Sequence, residues 1–151
     1  MQGMIGHHRQ AVEMTALIAA RTSRADIQML GKRIEASQVD EIKMMDDWLR
    51  ARGEPVPDPH AHHAADARLM PGMLTAEEMK RLSDSQGGEF DRLFLEFMIR
   101  HHEGALVMVE ELFASDGAGQ QSDIFAFASD VDADQRMEIS RMTAMLKERE
   151  P

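Results

Sequence analysis

The sequence contains no cysteine and no tyrosine, and only one tryptophan among its 151 residues. The absence of cysteine excludes disulfide bonds and thiolate metal sites, although it does not fix the cellular compartment. No apolar run approaches the length of a membrane span. Basic residues are also scarce, with 17 lysines and arginines against 27 acidic residues and a net charge of −10. Because nucleic acids and anionic membranes bind basic surfaces, we expect neither as a partner.

Methionine is the residue in excess, with 14 copies. The hydrophobic fraction of 43% and the charged fraction of 29% are those of a soluble globular protein. We therefore treat residues 1–151 as a single domain. Methionine often fills gaps in helical cores, but its thioether is also a soft metal ligand. The positions of the methionines must decide between these roles.

One pattern occurs twice, as "MIGHHRQAVEM" at Met4–Met14 and as "MIRHHEGALVM" at Met98–Met108. These two copies hold four of the seven histidines. A second repeat follows each copy, because "IEASQVDEIKMMDDWL" (Ile34–Leu49) aligns with "VDADQRMEISRMTAML" (Val131–Leu146). Each half of the chain is therefore a His-Met segment, a turn and a Gln-x-x-Glu segment.

The spacing of apolar residues at i, i+3, i+4 and i+7 predicts helices throughout both halves. We expect four long helices, near residues 2–21, 24–52, 89–114 and 122–149. Short turns at Thr22–Ser23 and at 115–122 make the helices of each half antiparallel, and Ser23 is a candidate N-cap. The predicted fold is an all-α, ferritin-like four-helix bundle with an approximate two-fold axis.

Within this bundle, hairpin 1 covers about 2–52 and hairpin 2 about 89–149. They are joined by a long crossover at 53–88, whose three early prolines exclude a regular helix. A capping pattern beginning at Thr75 predicts a short helix within the crossover. The second His-Met motif is preceded by more than two further helical turns, whereas only three residues precede the first. We expect native residues upstream of Met1, with an export signal among them.

These repeats resemble the family catalogued as domain of unknown function 305. The resemblance rests on both His-Met motifs, on "LTAEEM" in the crossover and on the two Gln-x-x-Glu segments. It implies a bacterial, mostly exported, ferritin-like four-helix bundle, and some family members have been linked to periplasmic copper. The resemblance therefore predicts an extracytoplasmic location, either periplasmic or secreted.

A helical wheel places His8 and His102 at the centre of the apolar face, with Met4 and Met98. The preceding histidines and the last methionine of each motif fall on its flank; these are His7, His101, Met14 and Met108. Imidazole and thioether donors without thiolates favour copper, especially Cu(I), over magnesium, calcium or structural zinc. All eight side chains are candidate metal ligands.

Four polar residues on the core faces of the partner helices are candidates to support these ligands: Gln38, Glu41, Gln135 and Glu138. Either glutamate could accept a hydrogen bond from either central histidine. The alternative function is a structural or interaction module, in which this polar layer only specifies packing. A homo-oligomer or a metal-delivery partner is left open.

A ferritin-like di-iron oxidoreductase is a third interpretation, but its Glu-x-x-His motif is absent and Met-x-x-His stands in its place. We find no catalytic constellation and expect a binding protein, not an enzyme. The remaining histidines, His60, His62 and His63, cluster in the crossover. We interpret them as a solvated loop or, alternatively, as an accessory metal site.

Overall fold

The fold is an all-helical bundle, seen in a computed structural model that describes residues 1–58 and 69–148. Within these ranges the chain forms no strand. The helices are α1 Gln2–Ala16, α2 Ile18–Arg21, α3 Ala25–Ala51, α4 Ala76–Asp84, α5 Gly87–Ala114 and α6 Ser122–Lys147. The predicted fold class is confirmed, and α1 and α2 together fill the range predicted for the first helix.

Two helix N-caps were predicted from the sequence, at Thr75 and at Ser23, and the first is confirmed. Thr75 begins α4 with a capping box, since its hydroxyl accepts from the Glu78 amide at 3.1 Å and its own amide donates to the Glu78 carboxylate at 2.9 Å. The prediction that Ser23 caps the next helix is wrong. Arg24 is the N-cap of α3 and makes no side-chain cap, because arginine has no acceptor, and its backbone amide donates to the Thr22 hydroxyl at 3.2 Å.

Each half of the chain forms one antiparallel hairpin, α1 with α3 and α5 with α6, and α1 also packs on α5. The main core runs through every helix and includes Phe90 and Phe94, which stack with ring centroids 5.9 Å apart. Burying each such side chain contributes about 2–3 kcal/mol. Among the described residues, no helix is both long and apolar enough to cross a membrane.

A short segment of the crossover, Met70–Thr75, lies across α1 and α5, and we call it the strap. It approaches α5 so closely that a Cβ at Gly104 would lie 1.9 Å from the Pro71 carbonyl oxygen. On α1, the Gln10 amide donates to the Leu74 carbonyl at 2.9 Å and accepts from the Leu74 amide at 2.7 Å. The strap therefore fastens hairpin 1 to hairpin 2.

Candidate metal site

Each hairpin buries one histidine against one glutamate of its own second helix. In hairpin 1 the His8 Nε2 bonds to the Glu41 carboxylate, and in hairpin 2 the His102 Nε2 bonds to the Glu138 carboxylate at 2.6 Å. Both histidine side chains are fully buried. The alternatives left open by the sequence are resolved in favour of pairing within a hairpin, and the two pairs are equivalent by position in the repeat.

The other histidine of each motif meets its counterpart from the opposite hairpin. The ring centroids of His7 and His101 are 3.8 Å apart, and the ring planes are inclined by 38°. The wheel put these two residues on the flank of the apolar face, but they are 0% and 1% exposed. The flank is covered because α1 packs directly on α5 and because the strap crosses above them, where His7 Nε2 contacts the Pro71 carbonyl at 2.9 Å.

The histidine pair is electrically neutral. Burial, with a smaller repulsion from His8, lowers the pKa of His7 from 6.5 to about 3. Burial also holds the pKa of His101 well below its ordinary value, with His7 as the next cause. Since a metal binds the neutral imidazole, no proton has to be displaced from this pair at neutral pH.

Hydrogen-bonding chemistry fixes which nitrogen carries the lone pair. A carbonyl or carboxylate oxygen can only accept, so the Nε2 atoms of His7, His8 and His102 donate their protons. In the neutral ring of His7 the Nδ1 atom then holds the lone pair. These three Nδ1 atoms and the Nε2 of His101 are buried without a protein partner. The two that belong to the neutral pair, His7 Nδ1 and His101 Nε2, are the donor atoms that a soft or borderline metal ion would use.

Two glutamines extend the polar layer. Gln38 and Gln135 are each 1% exposed, and neither the oxygen nor the nitrogen of either amide has a hydrogen-bond partner. Each lies one helical turn before the glutamate that holds a histidine. Buried polar atoms are nearly always paired, so this layer is suited to a polar ligand. In the described parts of the chain, no three histidine, aspartate or glutamate side chains are arranged to hold a metal ion. The two facing histidines supply two nitrogen donors, fewer than the four ligands of a structural zinc site.

The four predicted methionine ligands do not lie in one environment. Met14 and Met98 are 0% exposed and belong to the main core. Met4 and Met108 are half-buried and line a cavity of about 670 Å³ at the end of the bundle. The three crossover histidines, His60, His62 and His63, lie outside the described residues.

Sequence reasoning did not identify the strap as part of the site. Gln10 and Pro71 hold the strap over the histidine pair, and Met70 rests on α1 beside them. One signal was available, because Gln10 is a polar residue one turn after His7 on the same helix face. Gln10 bonds to the backbone of Leu74, which is 64 residues away in the chain. Helical periodicity does not predict contacts at that separation.

The fold and the site together define an all-helical bundle of two equivalent hairpins with a buried histidine pair between them. Within this class the chain belongs to the DUF305 family, a domain of unknown function whose family model matches residues 1–146. No curated protein matches the chain.

Solved structures with the same fold come from several proteins. A DUF305 protein of Streptomyces coelicolor, named as a secreted protein, is 28% identical with a TM-score of 0.84 and covers 98% of this chain and 90% of its own. A DUF305 fragment from Deinococcus radiodurans is 29% identical with a TM-score of 0.83, covering 97% and 92%. CopM in its Cu(II)-bound form is 23% identical with a TM-score of 0.78, covering 97% and 93%. CopM has also been solved in a Cu(I)-bound form.

Proposed function

We propose that this protein binds Cu(I) outside the cytoplasm, as a copper scavenger or carrier and not as an enzyme. His7 and His101 are the two donors in this proposal, and His8 and His102 are held beside them by Glu41 and Glu138. The observation that carries the proposal is the meeting of four buried histidines from two repeated motifs, with four ring nitrogens left without a protein partner.

The chemistry of the donors favours Cu(I). Neutral imidazoles bind copper, zinc, nickel and iron, and the thioethers of Met4 and Met98, one helical turn before the histidines in each motif, favour Cu(I) among them. The glutamates are already engaged with His8 and His102, which removes the carboxylates that a di-iron centre would need. In this role Glu41 and Glu138 fix the ring orientation of the two histidines and keep Nε2 protonated.

Two of the similar structures support copper binding and a location outside the cytoplasm. CopM shares the fold and has been solved with Cu(I) and with Cu(II). The Streptomyces coelicolor relative is named as a secreted protein, which supports an extracytoplasmic location. An oxidising compartment is also compatible with a chain that has no cysteine.

The second candidate function is a structural or interaction module. The two His–Glu hydrogen bonds favour it, because buried polar pairs can fix the register of helices without any ligand. In that case the unpartnered glutamine amides would be polar defects of the core and would bind nothing.

An anaerobic titration of metal-free protein with Cu(I), against a competing chelator, separates the two functions. We expect tight binding by the parent protein and a loss of at least about tenfold in affinity when His7 and His101 are both replaced by Gln. Glutamine keeps a polar side chain in the layer, so the fold should survive.

The matched control replaces His60, His62 and His63 by Ala, which removes the same residue type from the crossover. We expect this control to retain tight binding. Equal Cu(I) affinity in the parent and in the His7/His101 double variant would favour the structural module. Loss of binding only in the crossover control would move the copper site to the loop.

A further inference from the structure

Methionines from three separate elements converge on the first turn of α1, next to the histidine pair. Met70 on the strap places its sulfur 3.2 Å from the position a Cβ would take at Gly3, and the Met108 methyl group lies 3.7 Å from the same position. Met4 is the next residue of α1 and lines the same cavity as Met108. We call Met4, Met70 and Met108 the thioether cluster.

The Met70 side chain packs against two glycines of α1, Gly3 and Gly6. Its sulfur lies over Gly3, and its methyl carbon is 3.5 Å from the position of a Cβ at Gly6. Neither glycine has the positive φ that would require glycine for backbone reasons. Glycine inside a helix costs about 1 kcal/mol relative to alanine. The close approach of the Met70 sulfur explains glycine at position 3, whereas a Cβ at Gly6 would make only an ordinary contact with the Met70 methyl group.

The cluster differs from the histidine pair in its access to solvent. All three methionines are half-buried, whereas the four motif histidines are at most 1% exposed. Glu54, Glu111 and Arg52 line the cavity of Met4 and Met108, where Arg52 is paired with Asp123, and the chain carries a net charge of −10. A negative surface raises the local concentration of cations. An ion arriving from solvent through this cavity therefore reaches Met4 and Met108 without any movement of the strap.

We propose that Met4, Met70 and Met108 form a second, solvent-accessible site for a soft monovalent cation, Cu(I) or Ag(I). Neutral thioethers bind such ions and discriminate against zinc and magnesium, which prefer nitrogen or oxygen ligands. This site goes beyond the proposed function, because it needs none of the histidines. It assigns a ligand role to Met70, which lies outside both repeated motifs.

Nuclear magnetic resonance of protein labelled at the methionine methyl groups with ¹³C tests this site directly. Silver(I) is the probe, because it resembles Cu(I) in softness and is not oxidised in air. Single Met→Leu variants at positions 4, 70 and 108 assign the signals. We expect these three methyl resonances to shift together as silver is added, while the exposed Met29, Met44 and Met137 stay unchanged. The imidazole resonances of the same sample report separately on the histidine pair.

A matched pair of double variants gives the affinity. Met70→Leu with Met108→Leu removes two donors at nearly constant volume, and Met29→Leu with Met137→Leu makes the same change on the exposed surface. We expect silver affinity at the cluster to fall by about tenfold or more in the first variant only. Equal affinities in both variants, or shifts of the exposed methionines as large as those of the cluster, would overturn the proposal. Imidazole shifts without thioether shifts would overturn it while leaving the histidine function standing.

Discussion

Adjacent histidines in each motif have different partners. His8 and His102 are held by carboxylates, whereas His7 and His101 face each other across the contact of α1 with α5. The difference follows from the helical rotation of about 100° per residue, which turns neighbouring side chains toward different helices. A pair of adjacent histidines can thus serve both packing within a hairpin and contact between hairpins.

The two His–Glu pairs should contribute equal coupling energies. We expect a double-mutant cycle of His8→Ala and Glu41→Ala to give a coupling of about 1–3 kcal/mol, because each single variant leaves a buried polar group unpaired. The cycle of His102→Ala and Glu138→Ala should give a similar value. Urea denaturation supplies the free energies of unfolding. A crossed cycle of His8 with Glu138 is the control, and a coupling as large as in the matched pairs would contradict pairing within hairpins.

The metal-free protein should lose stability as the pH falls from 6.5 toward 3. The pKa of His7 is about 3 in the folded state against 6.5 ordinarily, so in this window the unfolded chain binds a proton that the folded chain excludes. The free energy of unfolding therefore rises with pH between 3 and 6.5, and the contribution of His7 is fully present above pH 6.5. At about pH 5 the loss is about 2 kcal/mol for His7, and the lowered pKa of His101 acts in the same direction.

Urea denaturation at about pH 8 and about pH 5, in the presence of a chelator, measures this loss. Replacing His7 and His101 by Gln removes both titrating groups and should flatten the pH dependence between these values. The crossover variant lacking His60, His62 and His63 serves as the control. An unchanged pH dependence in the His7/His101 variant would show that this pair does not exclude protons.

The strap contacts both α1 and α5. A single methyl group added at its contact with α5 should destabilise the fold. A Cβ at Gly104 would lie 1.9 Å from the Pro71 carbonyl oxygen, which is backbone and cannot rotate away. We expect Gly104→Ala to destabilise the fold by about 1–3 kcal/mol. The same substitution at Gly6 of α1 meets only the Met70 methyl at 3.5 Å, so it should be neutral or stabilising by up to about 1 kcal/mol. Thermal unfolding of both variants checks the contrast, and a stable Gly104→Ala variant would show that the strap is loosely attached.

The elements themselves could be predicted from the sequence much better than the strap. Periodic apolar residues gave the four long helices, and the Thr75 capping pattern gave α4, because both signals are local in the chain. The strap is positioned by its contacts with Gln10 and Gly104, and these residues are remote from it in sequence. No local pattern distinguishes Gly104 from an ordinary helix glycine, and the position of Gln10 one turn after His7 does not identify its partner.

At the scale of the whole molecule, the internal repeat makes two hairpins but only one central histidine pair. Two equivalent hairpins would be expected to keep the contacts of each motif within its own half, and for the His–Glu pairs this holds. For His7 and His101 it does not, because the packing of α1 on α5 brings both motifs to one place. The approximate symmetry of the chain is what makes a shared site between the halves available.

A shared site has a distinct signature in metal stoichiometry. We expect His7→Gln and His101→Gln to remove the same equivalent of Cu(I), because each variant takes one donor from a single pair whose rings are 3.8 Å apart. The double variant should then lose no more than either single variant. Anaerobic titration with Cu(I), followed through the imidazole resonances, counts this equivalent separately from any ion bound by thioethers. If each single variant lost one equivalent and the double variant lost two, the motifs would hold separate ions, and the pair would be a packing contact between two independent sites.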